Sequence, residues 1–317
     1  MPKTKMTGLV GYPIEHSLSP AMFKAVYEYY DLNWSYQLFP CETNAEFHDL
    51  IAQIQNVEND FVGLNVTMPY KAEAAQAILV SGGELIETAK AISAVNCIST
   101  VSAIKQNAQT SSLIGRNVDG LGLVASLKSR SNLELKATNV LICGTGAVTA
   151  AVSVALALAG AASITVVSRH RQRALDFVDR YNKQLVAVNP QIVVKGIGYD
   201  EAVALHTEIH HANLLIDATP IGMYADDLAL LPVQYIQPEH TVIDVVYGHG
   251  QTQLVKAARD AGAVALDGFG MLVEQAVLTF EAWVNDQAVL TVFDHQKTVD
   301  IMNKAALAEL QYRALHG

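Results

Sequence analysis

The amino-acid sequence predicts an α/β protein that folds as two domains. Its 317 residues, 51% of them hydrophobic, are too many for one simple core and enough for two domains of ordinary size. Short apolar runs of strand type alternate with segments of helical period, a pattern typical of parallel sheets with crossover helices. The polar stretch Lys128–Lys136 precedes a change in composition that indicates the approach to a second sheet.

Composition and charge exclude several classes of protein. No apolar run reaches the roughly 18 residues that a membrane-spanning helix requires, and the amino terminus lacks a signal-peptide pattern. The formal net charge of -10 argues against general affinity for nucleic acid or for an anionic membrane. Cys41, Cys97 and Cys143 show no metal-type spacing. We therefore expect a reduced, cytoplasmic protein without a metal site.

The first candidate binding residues are two serines that precede a predicted helix. After a strand at Gly8–Gly11, Ser19 and Pro20 are typical of an N-cap and a first helical residue. Ser17 lies just outside this helix N-terminus, where hydroxyls and backbone N–H groups favour a carboxylate. The alternative is that both serines only cap the helix. The inward stripe of the helix is predicted to be Met22, Ala25, Val26, Tyr29 and Tyr30.

Two further pairs of strand and helix follow. A strand over Trp34–Phe39 leads to the capping-box pattern Thr43–Glu46, which opens a second helix. A buried strand over Phe61–Val66 is followed by Pro69, expected to be the first residue of a helix from Tyr70 to Leu79. The inward residues of the second helix are predicted to be Phe47, Leu50, Ile51 and Ile54.

The segment Asn65–Lys71 is the strongest candidate for a functional site. Lys71 falls in the first helical turn, where the helix dipole disfavours a cation by roughly 0.3–1 kcal/mol, and a broken local rule often marks function. A lysine at a helix N-terminus that is partly shielded from water is a candidate general base at neutral pH. Asn65 and Thr67 share one face of the strand, at the carboxyl end where α/β sheets bind ligands. The pattern predicts a site for a polyhydroxylated small molecule; the alternative is a solvated lysine.

A predicted hairpin contributes two more polar residues. Its strands are Ala94–Val101 and Ser112–Gly115, joined by the polar loop Lys105–Gln109. Asn96 lies near the start of the first strand, and Asp119 follows the second. Asp119 either caps the next helix or takes part in catalysis, and the two roles are compatible if that helix end faces the site.

The second half of the chain contains a dinucleotide-binding pattern. The buried strand Asn139–Cys143 runs into the turn Gly144–Gly146 and then a helix, the context in which a Gly-x-Gly pattern is credible. The next strand, Ser163–Val167, ends in Ser168–Arg173, which has three arginines and no acidic residue for the ribose hydroxyls of NAD. Because arginine binds phosphate through forked hydrogen bonds, the pattern favours NADP, with Arg169 as the first contact. The alternative is a basic surface turn.

The remaining elements continue the alternation of strands and helices. The loop Ala218–Met223 follows a strand, where a nicotinamide ring could rest. The predicted strands are Ile192–Lys195, Asn213–Asp217, Thr241–Tyr247 and Ala263–Asp267, and the predicted helices are Leu254–Ala261, one from Gly268 to beyond Gln275, and Asp294–Leu315.

Five separated motifs resemble those of the shikimate dehydrogenase family, in the same order and over nearly the whole chain. They are Ser17-Leu-Ser-Pro20, Asn65-Val-Thr-Met-Pro-Tyr-Lys71, Ala94-Val-Asn96, Asn117-Val-Asp-Gly120 and Gly270-Met-Leu-Val-Glu-Gln-Ala276. The resemblance implies a substrate domain (1–115 plus 270–317), an inserted Rossmann-type NADP domain (116–269) and a cleft between them. It also implies reversible reduction of 3-dehydroshikimate to shikimate, in the biosynthesis of chorismate and the aromatic amino acids.

The resemblance implies a role for each matched residue. Lys71 and Asp119 would be the acid/base pair, and Ser17, Ser19 and Tyr247 would hold the substrate carboxylate. Asn65, Thr67, Asn96, Asp119 and Gln275 would bind ring hydroxyls. The expected cofactor-binding residues are Gly144, Gly146, Ala147, Val148, Ser168, Arg169, Arg173, Thr219, Met223 and Gly268.

Departures from the family pattern leave alternatives open. The family's Gly-x-Gly-Gly-Ala is Gly144-Thr-Gly-Ala-Val148 here, its Asn-Arg-Thr is Ser168-Arg-His170, and Asp217 replaces a common Asn. One alternative is a quinate or quinate/shikimate dehydrogenase that uses NAD. Another is a non-catalytic protein that senses a dinucleotide or metabolite. In each case we expect a small-molecule ligand and a monomer or homodimer.

Overall fold

The computed structural model describes residues 3–101, 110–224, 226–248 and 250–316. The predicted loop Lys105–Gln109 lies outside these ranges. Up to Arg130 the elements are β1 Lys5–Gly11, α1 Ser19–Tyr29, β2 Trp34–Pro40, α2 Asn44–Gln55, β3 Phe61–Val66, α3 Lys71–Val80, β4 Glu84–Leu85, α4 Glu87–Ile92, β5 Cys97–Val101, β6 Ser112–Arg116 and α5 Asp119–Arg130.

The second series of elements alternates strands and helices until the final two helices. It consists of β7 Asn139–Cys143, α6 Ala147–Leu158, β8 Ser163–Ser168, α7 Arg171–Val188, β9 Val193–Gly198, α8 Ala202–His211, β10 Leu214–Asp217, β11 Thr241–Asp244, α9 Gln253–Asp260, β12 Val264–Leu266, α10 Phe269–Asp286 and α11 His295–His316. The chain divides into two compact units, one of Met1–Val118 with Gln275–Gly317 and one of Asp119–Glu274.

The first unit is built on a six-stranded sheet in the order β2-β1-β3-β5-β6-β4. β1 is parallel to β2 and β3, and β4 is parallel to β6, whereas β5 is antiparallel to both of its neighbours. The segment between β5 and β6 is too short for the crossover that parallel strands require. One face is covered by α2 and α3, whose buried side chains include Phe47, Leu50, Ile51, Ile54, Tyr70 and Ile78.

The second unit is a fully parallel sheet in the order β12-β11-β10-β7-β8-β9. This is the strand order of a Rossmann-type fold, with its topological switch point between β7 and β10. Its central strands β7, β8, β10 and β11 are mostly apolar and buried, as a parallel sheet covered by helices requires, whereas the edge strands β9 and β12 are partly exposed. The predicted class, α/β with two sheets and a Rossmann-type half, is confirmed.

Three local predictions in the first unit are wrong. Ser19 is the first residue of α1 rather than its N-cap, which is Leu18, because the Ser17 hydroxyl accepts the Ser19 N–H at 3.2 Å and turns the chain earlier. Tyr29 is 52% exposed, and Phe23 and Tyr27 are buried in the inward stripe instead, because α1 packs against α11 as well as β2.

The third error concerns the start of α3. The helix begins at Lys71 with Tyr70 as its N-cap, so Pro69 is not a helical residue. Tyr70 is buried because its ring stacks on Phe47 at 4.6 Å and its hydroxyl donates to the Cys41 carbonyl at 2.8 Å. These two contacts of Tyr70 fix where the turn after β3 ends and α3 begins. The capping box at Thr43–Glu46 and its four inward residues are confirmed.

Candidate functional site

In the first unit, the carboxyl ends of β1 and β3 bring two predicted segments side by side. Leu9 is the register partner of Asn65, and the Thr67 N–H donates to the Val10 carbonyl at 2.9 Å. The Tyr12 N–H, in the loop before Ser17, donates to the Met68 carbonyl at 3.0 Å. The serine loop and the turn before Lys71 therefore start from the same edge of the sheet.

Asn65 is a buried amide whose orientation is set by its hydrogen bonds. It is only 6% exposed. Its Nδ2 donates to the Asn96 carbonyl at 3.3 Å and to Thr279 Oγ1 at 3.1 Å. The Asn96 carbonyl can only accept, so it determines which side of the Asn65 amide carries the N–H groups.

Asn96 and Lys71 are tied to this position through the backbone. The Val66 N–H donates to the Asn96 carbonyl at 2.9 Å, and the Val95 N–H donates to the Lys71 carbonyl at 2.7 Å. The Asn96 side chain, 3% exposed, accepts the Val118 N–H at 2.8 Å. Lys71 is half-buried in the first turn of α3, as the sequence predicts. Asn65, Lys71 and Asn96 thus form one hydrogen-bonded junction at the end of β3.

The serine loop is held by the last helix of the chain. The Arg313 guanidinium donates to the carbonyls of His16 at 2.7 Å and Ser17 at 3.0 Å, while its Nε donates to Glu309 at 2.7 Å. Ser17 and Arg313 line one cavity of about 390 Å³ at the packed faces of α1 and α11. Sequence reasoning missed Arg313, since no local pattern links the final turns of the chain to residue 17.

Gln275 lies on α10, one helical turn before Thr279. Residues four apart share a helix face, so Gln275 lies on the face that contacts Asn65 through Thr279. The position of α10 on the sheet is set by Trp283, whose Nε1 donates to the Ile98 carbonyl at 2.9 Å. Thr279 is another contact of the candidate site that sequence reasoning missed.

The glycine turn of the second unit leads from β7 into α6. Gly144 has φ of +107°, a left-handed conformation that favours glycine, and a Cβ there would crowd the backbone of Ala218. Gly146 is the N-cap of α6 with no side-chain hydrogen bond capping it, and a Cβ at this residue would meet nothing within 4 Å. Ala147 is exposed and Val148 is half-buried beside it. Thr149 is fully buried, and its Oγ1 has no hydrogen-bond partner among the described residues.

These features fit a phosphate-bearing ligand. An uncapped helix N-terminus next to an open glycine is a ready anion site, and a buried hydroxyl in the first turn is a further donor.

The basic segment after β8 lies at the start of α7. His170 is the N-cap of this helix without a side-chain hydrogen bond, and the His170 N–H donates to Ser168 Oγ at 3.4 Å. Arg173 and Thr145 of the glycine turn line one cavity of about 220 Å³. Arg169 is exposed and is not among the residues that line this cavity. The glycine turn and the arginine segment are therefore neighbours within the second unit.

The predicted nicotinamide loop follows β10 at the switch point. Thr219 donates through its N–H at 2.9 Å and its hydroxyl at 2.6 Å to the carboxylate of Asp217. Burial raises the pKa of Asp217 to about 6, and the charge of Asp244 on the adjacent strand adds to the effect. Met223 is 44% exposed in the same loop, and the Gly268 N–H donates to the Val246 carbonyl at 3.1 Å.

Asp119 and Tyr247 lie near each other in the second unit. Asp119 is the first residue of α5, and Gly120 packs so closely on the Ala151 carbonyl of α6 that a side chain there would clash. Burial raises the pKa of Tyr247, and the negative charge of Asp119 raises it further. Asp119 is itself helical, so the sequence interpretation that made it the cap before this helix misses by one residue.

None of the helices within the described ranges is both long and apolar enough to cross a membrane. The same ranges contain no group of three or more His, Cys, Asp or Glu side chains arranged to hold a metal ion.

One unit has a Rossmann-type fold, and the other is an α/β unit with hydrogen-bonding side chains clustered at its strand ends. Together they define a class of α/β protein that combines a unit of dinucleotide-binding type with a second α/β unit. Residues 9–98 match the family model described as shikimate dehydrogenase substrate binding domain. The chain is 32% identical over 312 residues to the shikimate dehydrogenase (NADP(+)) of Methanopyrus kandleri, covering 98% of this chain and 97% of that protein. The chain therefore belongs to the shikimate dehydrogenase family.

Solved structures of two enzymes share the fold over nearly the full length. The first is shikimate 5-dehydrogenase from Thermus thermophilus in complex with NADP(H) and shikimate, with a TM-score of 0.72, 25% identity and coverage of 95% of this chain and 99% of that chain. The second is quinate dehydrogenase from Corynebacterium glutamicum in complex with NAD, with a TM-score of 0.78, 27% identity and coverage of 96% and 99%.

Proposed function

We propose that this protein catalyses the reversible, NADP-dependent reduction of 3-dehydroshikimate to shikimate. The observation that carries the proposal is the junction at the end of β3, where hydrogen bonds hold the segments of Asn65, Lys71 and Asn96 side by side. The 32% identity to the Methanopyrus kandleri enzyme over 98% of the chain supports the choice of reaction.

The proposed substrate contacts follow from the family motifs. Ser17, Ser19 and Tyr247 bind the carboxylate; Asn65, Thr67, Asn96, Asp119 and Gln275 bind ring hydroxyls. Arg313 supports the carboxylate site because it holds the carbonyls of His16 and Ser17. Amides and hydroxyls both donate and accept, so such a set suits a polyhydroxylated ring.

Lys71 acts as the acid and base. In the direction of reduction, its ammonium gives a proton to the carbonyl oxygen as that oxygen gains charge; in the reverse direction, its amine takes the proton from the alcohol. Asp119 is the second member of the acid/base pair and orients the substrate hydroxyl.

The cofactor site lies in the second unit. When bound, the reduced cofactor NADPH would supply the hydride for reduction, and NADP⁺ would accept it in the reverse direction. Gly144, Gly146, Ala147 and Val148 hold the pyrophosphate at the α6 N-terminus. Ser168, Arg169 and Arg173 hold the ribose phosphate, and Thr219, Met223 and Gly268 surround the nicotinamide. The open Gly146 and the Thr149 hydroxyl, which no described residue partners, support this assignment.

The proposed setting is the biosynthesis of chorismate and the aromatic amino acids in the cytoplasm. Cys41, Cys97 and Cys143 are free and buried, which suits a reducing compartment. Burial raises the pKa of the Cys97 thiol to about 12, so this cysteine is an inert core residue.

A second candidate function is oxidation of quinate with NAD. The similarity to the Corynebacterium glutamicum quinate dehydrogenase favours it, as does the replacement of the family's Asn and Thr beside Arg169 by Ser168 and His170. Quinate has a saturated ring with one more hydroxyl than shikimate.

A matched set of four assays tests the proposal. Purified protein is given shikimate or quinate with NADP or NAD, and the ultraviolet absorbance of the reduced nicotinamide is followed. We expect the highest kcat/KM for shikimate with NADP. A higher value for quinate with NAD would favour the second candidate. Absence of reduction in all four assays, with tight shikimate binding by calorimetry, would replace both by a metabolite-sensing role.

A further inference from the structure

Tyr36, which no motif singles out, links two of the proposed substrate residues. Its ring stacks on Phe23 with centroids 4.5 Å apart and planes 13° apart, and it lies beside Trp283. The hydroxyl at the end of this rigid ring donates to Asn65 Oδ1 at 3.0 Å and is also hydrogen-bonded to the Ser19 side chain.

The direction of each hydrogen bond follows from the available protons. Both N–H groups of Asn65 are used by the Asn96 carbonyl and Thr279, so Oδ1 faces Tyr36 and must accept. Tyr36 therefore donates its one hydroxyl proton to Asn65, and the Tyr36 oxygen accepts a hydrogen bond from the Ser19 hydroxyl. Burial raises the pKa of Tyr36, so the phenol stays neutral and remains a donor at physiological pH.

This arrangement determines what Asn65 and Ser19 can offer to a ligand. With two donors committed and one acceptor site occupied, Asn65 keeps one Oδ1 lone pair for a substrate hydroxyl. Ser19 is only 7% exposed, and its hydroxyl is hydrogen-bonded to Tyr36.

We propose that Tyr36 is a positioning residue for substrate binding, whose hydroxyl holds Ser19 and Asn65 at the spacing that a ring carboxylate and a ring hydroxyl require. The inference rests on the proposed function for its substrate, although the hydrogen-bonded bridge is a property of the first unit alone. We therefore expect Tyr36 to affect the KM for the substrate and not the rate of the chemical step.

The kinetic test compares Tyr36→Phe with Tyr27→Phe. Tyr27 is a matched control because it is 3% exposed in the same aromatic cluster and its hydroxyl bonds Thr7 at 2.6 Å, away from the proposed site. Loss of one buried hydrogen bond predicts a rise of about 3- to 10-fold in the KM for shikimate in Tyr36→Phe, with kcat within about 2-fold. Tyr27→Phe should leave KM unchanged.

A double-mutant cycle tests whether Tyr36 acts through Ser19. In a Ser19→Ala background, Tyr36→Phe should raise KM by a clearly smaller factor than in the native background. An equal factor in both backgrounds, or equal KM values for Tyr36→Phe and Tyr27→Phe, would overturn the proposal.

A readout independent of activity separates this inference from the proposed function. In ligand-free protein, the side-chain amide NMR signal of Asn65, assigned by its loss in Asn65→Asp, should shift in Tyr36→Phe and not in Tyr27→Phe. If shikimate is not a substrate but the signal shifts, the bridge stands and the proposed reaction fails. An unshifted signal overturns the bridge even in an active enzyme.

Discussion

The backbone carbonyl of Lys71 accepts a hydrogen bond from the Val95 N–H at 2.7 Å. This contact fixes the first turn of α3 against the segment that carries Asn96, and Asn96 in turn receives the Asn65 side chain. The carbonyl contact therefore holds the Lys71 backbone beside the segment that carries both amides. Accurate placement of an acid/base group is what general acid catalysis needs.

Replacement of Arg313 by Ala should weaken substrate binding with little change in turnover. The variant loses both hydrogen bonds that hold the carbonyls of His16 and Ser17. Because the guanidinium is partly exposed, we expect a moderate rise of roughly 3- to 10-fold in the KM for shikimate. Steady-state kinetics at saturating NADP measure it.

Lys24→Ala is the control for charge. Lys24 lines the same cavity as Arg313, but its ion pair with Glu28 is exposed and 3.9 Å long. Equal KM values for shikimate in Arg313→Ala and Lys24→Ala would contradict a role for the two hydrogen bonds from Arg313 to the carbonyls of His16 and Ser17.

Replacement of Asp217 by Asn should stabilise the protein at neutral pH. The folded-state pKa of about 6 lies above the ordinary 3.8, so the folded protein binds the extra proton and loses stability as pH rises from about 4 to 6. At pH 7 and above the buried charge costs its full amount, roughly 1–3 kcal/mol. We expect a higher Tm for the variant at pH 8 and no gain at pH 4.

The exposed carboxylate of Asp260 at the end of α9 provides the control for this prediction. Asp260→Asn should change Tm little at either pH. If Asp217→Asn raised the Tm by the same amount at pH 4 and at pH 8, the result would argue against a buried, destabilising charge at Asp217.

Replacement of Arg173 by Ala should reduce the preference for NADP over NAD. Arg173 lines the cavity that the glycine turn shares, and NADP differs from NAD by one phosphate. Loss of a charge-assisted hydrogen bond to that phosphate predicts a fall of about 10- to 100-fold in kcat/KM for NADP. The value for NAD should change far less.

Arg171→Ala is the matched control because Arg171 is paired with Glu201 at 3.1 Å. It should leave the ratio of the two cofactors unchanged. Equal losses for NADP and NAD in Arg173→Ala would remove Arg173 from the phosphate site.

Much of the fold was predictable because its signals are local. The capping box at Thr43–Glu46, the strand Phe61–Val66 and the strand–glycine–helix sequence around Gly144 depend on residues a few positions apart. The short strand β4 and helix α4 were not predicted, because Glu84–Leu85 has no period of its own and depends on pairing with β6.

The sequence predicted which residues form the candidate site, but not the distant residues that hold them in place. Asn65, Lys71 and Asn96 lie at strand ends and helix starts, which sequence patterns locate. Thr279 lies 214 residues from Asn65, and Arg313 lies 296 residues from Ser17. Such contacts arise from packing of α10 on the first sheet and of α11 on α1, which no local pattern encodes.

The central claim is that Lys71 carries the proton of the reaction, and the kcat of Lys71→Ala with shikimate and NADP tests it most directly. Lys90→Ala, an exposed lysine on α4, serves as the control. We predict that kcat falls by about 10²- to 10⁴-fold in Lys71→Ala while substrate affinity changes little. A Lys71→Ala variant that keeps a kcat close to that of the native protein would contradict the account.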